Sequence, residues 1–264
     1  MRLNTTFTAL KSRSATGLIP FITCGDPQPD WTVDVMHALV QAGADVIELG
    51  MPFSDPVADG PVIEKASERA IAKGVTLHVV LDTVRQFRAS NQHTPIVLMG
   101  YLNPILQYGT AEFFQAASAA GADALLLVDC PIEESESMRP ELHAAGLQQI
   151  YLVAPTSSPA RRRKMAASAE GFLYYVSFAG ITGANQLDPV AVNAAVAELK
   201  AMSVAPVAVG FGVKDADSAK SIATHADAVV VGSALVQLIA ECSSREQACA
   251  VAHAFLAPIR SALD

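Results

Sequence analysis

The chain has 264 residues, 51% hydrophobic and 17% charged, so it can bury a large core and is too apolar to be disordered. Its net charge of −8 argues against nucleic acid or an anionic membrane as partner. An anionic small ligand stays open, because backbone N–H groups and helix N-termini bind one without net positive charge.

The N-terminal residues lack an apolar signal-peptide core, and no run reaches the roughly 18 apolar residues of a spanning helix. A cytoplasmic protein is expected. Eight β-like runs follow, at residues 18–23, 45–49, 96–101, 124–129, 149–154, 172–178, 206–211 and 228–231. Most are continuously apolar and rich in β-branched residues, the mark of strands covered on both faces. Ala-rich segments of helical period lie between them. The junctions repeat: Ala42-Gly43-Ala44-Asp45, Ala120-Gly121-Ala122-Asp123 and Ala145-Gly146-Leu147 each precede a run. A Gly just past a helix end is the expected C-cap, followed by a short loop into a strand. The long gap between the second and third runs predicts an extra helix. The whole reads as one α/β domain over residues 1–264, a (β/α)8 TIM barrel with additional helices; an open doubly wound sheet is the alternative. Cys24, Cys130, Cys242 and Cys249 show no metal-type spacing and read as free thiols, the last two on helix. The six histidines fall away from strand exits, so no metal site is expected.

In a barrel the chemistry belongs where strands end. Val46 and Glu48 alternate with Ile47 and Leu49 in the second run, so Glu48 points toward the barrel mouth. A carboxyl desolvated there has a raised pKa and becomes a usable acid or base; a structural Glu paired with a buried cation or tyrosine hydroxyl is the alternative. Asp55 and Asp59 share the rigid loop that follows. Asp55 precedes Pro56 and reads as a turn or interface residue. Asp59, in an Asp-Gly turn, is placed to swing back over the mouth, or to serve the turn alone. Gly210-Phe211-Gly212 after the seventh run and Gly232-Ser233 after the eighth, leading into a helix, together suit a phosphate. The loop 177–189 suits a lid. Tyr174 and Tyr175 are adjacent, so one faces the barrel; periodicity does not say which. The residues alone point to proton transfer or carbon–carbon lyase chemistry on a phosphorylated small molecule. A phosphosugar epimerase would need a metal site or a second acid across the barrel, and the sequence shows no His cluster for one; an interaction or regulatory subunit would have lost Glu48 or Asp59, and both are present.

The segments 20–27, 48–61, 174–177, 180–183, 210–212 and 231–234, in this order, resemble the tryptophan synthase α subunit family over nearly the whole chain. The resemblance implies retro-aldol cleavage of indole-3-glycerol phosphate to indole and glyceraldehyde 3-phosphate. It implies Glu48 as general acid/base at indole C3, Asp59 as acceptor of the indole N–H, and Tyr174 as the inward, active-site tyrosine. Phe21, Tyr101 and Phe211 match the indole pocket. Gly183, Gly212, Gly232 and Ser233 match the phosphate site, and Thr182 the lid. The rims at Asp55-Pro56, Asn103-Pro104 and Asp129-Cys130-Pro131 match segments that meet a β subunit in an α2β2 complex. That β subunit carries pyridoxal phosphate; no cofactor is expected in this chain. Two positions depart from the family pattern: Cys130 stands where Leu is usual, and Asn185 where many members carry Arg. A stand-alone indole-3-glycerol phosphate lyase remains the alternative.

Overall fold

The structure is a computed structural model and describes residues 1–176, 189–210 and 212–264. Residues 177–188 of the expected lid, with Thr182, Gly183 and Asn185, and Phe211 lie outside the described residues. Eight parallel strands close into a barrel in chain order. They are β1 (Gly17–Thr23), β2 (Ile47–Gly50), β3 (Ile96–Gly100), β4 (Ala124–Leu127), β5 (Gln148–Val153), β6 (Leu173–Val176), β7 (Val207–Gly210) and β8 (Ala228–Val231). Leu18 pairs with Val229, which closes β1 onto β8. All eight overlap the runs read from the sequence. The second starts two residues late, at Ile47; ahead of it the Asp45 N–H bonds the Leu18 carbonyl (2.9 Å) and the Asp45 carboxylate accepts the Leu18 N–H (2.8 Å).

The helices are α1 (Arg2–Ser12), α2 (Thr32–Gln41), α3 (Pro61–Ala72), α4 (Leu77–Arg88), α5 (Leu102–Tyr108), α6 (Thr110–Ala120), α7 (Ile132–Ala144), α8 (Pro159–Ala167), α9 (Pro189–Met202), α10 (Ala216–Ala223), α11 (Ser233–Ala240) and α12 (Arg245–Leu263). The gap between β2 and β3 holds two helices, α3 and α4. Gly121 ends α6 in the left-handed region (φ 101°), where its N–H meets the Ala117 and Ser118 carbonyls. A Cβ there would also lie 2.7 Å from the Arg88 side chain. Cys242 corrects one expectation: it sits in the link between α11 and α12, and only Cys249 is helical. All four cysteines are free.

The core has two compartments. An outer one fills the space between strands and helices. An inner one fills the barrel with Ile19, Val97, Leu126, Ile150 and Phe172, and is stoppered by Leu3, Phe7 and Leu10 of α1. Their spacing of three and four residues is a helical stripe that the sequence displays. α1 is tied down by Arg2, which binds Asp123 (3.0 Å), and by Asn4, which accepts from Gln148 (3.1 Å). The stopper therefore closes the N-terminal end of the barrel and leaves the C-terminal mouth for chemistry.

Four acids at that closed end act alike. Asp45, Asp123, Glu170 and Asp227 each precede an even-numbered strand. Each accepts a backbone N–H from the start of the preceding odd-numbered strand: Leu18, Ile96, Gln149 and Val207. Each also meets a cation: Arg260 (2.9 Å), Arg88 (2.9 Å), Arg139 and Lys200 (2.7 Å) respectively. Hydrogen bonds to an ionised acceptor are among the stronger ones, so these clamps brace successive strand pairs. The Ala-Gly-Ala-Asp repeat seen in the sequence is two of them.

Candidate active site

Glu48 lies in β2, level with Phe21 of β1 and Val97 of β3. It is 1% exposed, and neither carboxylate oxygen has a hydrogen-bond partner among the described residues. An ionised carboxylate left so would be very costly, so the group keeps its proton. Burial, and secondarily the charge of Asp59, push it up to about 8.

Asp59 comes from the β2–α3 loop. Its N–H is fixed to the Pro56 carbonyl (2.9 Å), and Gly60-Pro61 starts α3 directly after it. The missing N–H of Pro61 is no loss in the first helical turn. Burial pushes Asp59 up to about 6, the Tyr101 hydroxyl pulls it down, and Glu64 adds a smaller upward push. The same hydroxyl accepts the Ala58 N–H (3.1 Å) and the Tyr101 ring packs on Phe53 (5.2 Å between centroids). Tyr101 thus pins the loop to the end of β3. Burial and the neighbouring Asp59 raise the Tyr101 hydroxyl well above its usual range, so it stays a donor.

Phe21, Asp59 and Tyr101 line one cavity with Thr23, Gly50, Met51, Ile63, Ser67, Met99 and Gly100. Its free space is about 10 Å3, room for roughly one water. A bicyclic ring requires it to widen. The sequence reading gave no role to Thr23, Met51, Ile63, Ser67 or Met99 here. Thr23 was legible, since it lies two residues from Phe21 and so shares its face. Ile63 and Ser67 were not, because only the fold lays α3 over the mouth.

Tyr174 belongs to the barrel-interior cluster and Tyr175 to the outer one. A Cβ built on Gly210 would overlap the Tyr174 hydroxyl, so β7 needs glycine at that point to let the ring in. Burial and the nearby Glu48 raise the Tyr174 hydroxyl well above its ordinary value. It sits near Glu48 with its hydroxyl neutral.

Gly232 caps α11, and Ser233 is the first helical residue. No side chain caps this helix, so its leading N–H groups face the mouth without an intrahelical acceptor. A Cβ on Gly232 would be 3.6 Å from Phe21, which places this helix start beside the cavity. Gly212 holds φ 79°, a conformation that favours glycine.

The rim residues are spread around the mouth. Asp55 is exposed and bonded to Ser54 (2.5 Å). Pro56 is half-buried beside Val57, which is 78% exposed. Asn103 is exposed and Pro104 half-buried on α5, next to Leu106 at 54% exposure. Asp129 is exposed, yet accepts the Leu102 N–H (2.8 Å) and so caps α5. Asp129 and Cys130 also edge a hollow of about 280 Å3 that reaches Tyr151, Ser157 and Arg161. Burial pushes the Cys130 thiol up to about 11, which leaves it unreactive.

Asp26, at the exit of β1, forms a bidentate pair with Arg69 of α3 (2.6 and 2.9 Å). The sequence reading passed over Arg69, because a lone arginine in a helical stretch carries no signal of its own. Among the described residues, no cluster of three or more His, Cys, Asp or Glu is arranged for a metal, and no helix is long and apolar enough to cross a membrane.

A closed (β/α)8 barrel with two coupled carboxyls and a tyrosine at its C-terminal mouth defines a barrel enzyme of the acid–base kind. The family model described as tryptophan synthase alpha chain matches residues 7–262, and the chain belongs to that family. The alpha chain of Xylella fastidiosa (strain 9a5c) is 54% identical over 263 residues, covering 100% of this chain and 98% of that one. The alpha chain of Ralstonia nicotianae is also 54% identical, with 100% and 99% covered. The solved alpha subunit from Legionella pneumophila str. Paris superposes with a TM-score of 0.92 at 43% identity, covering 100% of this chain and 98% of the other. The chain is thus an enzyme of tryptophan biosynthesis.

Proposed function

We propose that the chain is a carbon–carbon lyase that cleaves indole-3-glycerol phosphate to indole and glyceraldehyde 3-phosphate. The observation that carries this reading is Glu48: a buried carboxyl with no partner, held protonated at neutral pH, facing a second carboxyl with a lower pKa. Indole is a poor leaving group from carbon until its C3 is protonated. Glu48 supplies that proton and then takes the proton of the glycerol hydroxyl as the carbon–carbon bond breaks. Positive charge develops on the indole nitrogen meanwhile, and the Asp59 anion accepts its N–H and stabilises it. Tyr174 is the active-site tyrosine beside Glu48, and Phe21 and Tyr101 hold the ring. The start of α11, with Gly232, Ser233 and Gly212, takes the phosphate. Gly183, Thr182 and Phe211 keep the phosphate, lid and indole roles that the resemblance implies.

The whole chain works as a single barrel domain in the cytoplasm and needs no cofactor of its own. Its partner is a pyridoxal-phosphate β subunit in an α2β2 complex, met through Asp55, Pro56, Asn103, Pro104 and Asp129. The exposure of Asp55, Asn103 and Asp129 leaves this rim accessible to such a partner. An indole-release assay on indole-3-glycerol phosphate, with and without stoichiometric β subunit, tests both parts. Weak activity alone and strong stimulation by the partner is expected. Full activity alone would favour the stand-alone lyase, and none in either case would end the reading.

A further inference from the structure

We propose that the Asp26–Arg69 ion pair is a positioning element for catalysis: it sets the register of α3, and so the place of Asp59 over the mouth. The role rests on the acid–base parts proposed for Glu48 and Asp59.

α3 stands apart from the helix ring. The ring position between β2 and β3 is taken by α4, which packs on α2 and α6, whereas α3 packs on β1 and α11. Asp59 lies two residues before its first turn, so a slide or rotation of α3 is passed straight to that carboxylate. Ile63 and Ser67, one turn apart on α3, line the same cavity as Phe21 and Thr23 of β1. The ion pair joins these two elements.

The fully buried face of α3 consists of small residues, Ala66, Ser67 and Ala70, while Val62 and Ile63 near its start pack part-buried in a cluster with Phe21 and Val236. Toward Arg69 the small side chains bury little area and present a smooth face, so packing there fixes the axial position of the helix only loosely. A guanidinium gripping a carboxylate through two parallel hydrogen bonds does fix it, in distance and in orientation. The carboxylate end is firmly mounted. The Asp26 side chain is 2% exposed, its N–H bonds the Thr23 carbonyl (3.2 Å), and the Gly25 N–H bonds Thr32 Oγ1 (3.0 Å). A Cβ on Gly25 would overlap Val75, so the β1 exit also abuts the turn that ends α3. Asp26 is the fixed post and Arg69 the latch.

The test compares wild type with the neutral pair Asp26→Asn/Arg69→Gln and with Arg69→Lys, all assayed with saturating β subunit, melted, and crystallised. The neutral pair is expected to lose about 10- to 100-fold in kcat, as displacement of a reacting group by about 1 Å does, with KM within about threefold. Arg69→Lys, which keeps the charge and loses the fork, is expected to recover part of that rate. The crystal structure of the neutral pair is expected to show the Asp59 carboxylate moved by about 1 Å or more relative to Glu48. A purely structural pair would lower the melting temperature and leave kcat within about twofold; that result, or an unmoved Asp59, overturns the proposal. Should the neutral pair fail to fold, a wild-type kcat in Arg69→Lys overturns it equally. If wild type releases no indole, the lyase reading falls, while the crystallographic position of Asp59 still decides the role of the pair.

Discussion

The two ends of the barrel use the same side chains in opposite ways. At the closed end Asp45, Asp123, Glu170 and Asp227 each hold a backbone N–H and a cation. Burial there pushes Glu170 upward, but Arg139, the Gln149 N–H and His143 outweigh it and leave the carboxyl below its usual value. At the open end burial acts on Glu48 with nothing to oppose it, and the carboxyl rises to about 8. A carboxylate with partners braces strands. One without partners keeps a proton it can give away. Reactivity at this site is therefore the withholding of partners, and stability has to come from the other end.

That contrast predicts opposite outcomes for substitutions at the two ends. The largest effect belongs to Glu48→Gln. Indole release should drop by about 10³-fold, in the range that acid/base groups contribute. Its stability should rise. Glu48 titrates near 4.5 when unfolded and near 8 when folded, so between these values the folded state holds the extra proton and loses stability as pH rises. The glutamine lacks that loss and should be more stable by about 3 kcal/mol at pH 7, seen as a denaturant midpoint whose pH slope between 5 and 8 is flattened. A variant that is both active and unchanged in slope would break the comparison.

Asp123→Ala should do the reverse. It strips Arg88, at 6% side-chain exposure, of its carboxylate and the Ile96 N–H of its acceptor. A loss of about 3–5 kcal/mol is expected on chemical unfolding, with kcat of the folded protein close to wild type. The pH–rate profile sharpens the open end. Asp59 must be ionised, and burial, eased by Tyr101, puts it at about 6; Glu48 must be protonated, and burial puts it at about 8. The kcat/KM value should rise through about pH 6 and fall through about pH 8, as two values belonging to the coupled pair. In Asp59→Asn the lower limb should vanish along with most of the rate. The smallest effect is Lys200→Met. Its pair with Asp227 is more than a third exposed on each side, so under about 1 kcal/mol is expected in a thermal melt.

Much of the mouth could be read in advance because strands alternate and barrels put chemistry where strands end. Glu48, Gly210 and Gly232 followed from that geometry, and the Gly turns marked where helices hand over to strands. The motif from 48 to 61 carried the rest through resemblance. Thr23 in β1, Met99 in β3 and Met51 just past β2 were open to the same reasoning. α1 displayed its stripe but hid its purpose, since a short helix ahead of the first strand says nothing about which end it closes.

By itself the sequence determined the barrel, the eight strands and the inward carboxyl, since these depend on periodicity and on residues near one another in the chain. Tertiary structure alone decided which carboxyls would find partners. Asp45 meets Arg260 across 215 residues and Asp26 meets Arg69 across 43, whereas Glu48 meets no hydrogen-bonding group among the described residues. A carboxyl's charge is set by its surroundings, and surroundings come from the folding of distant segments onto one another.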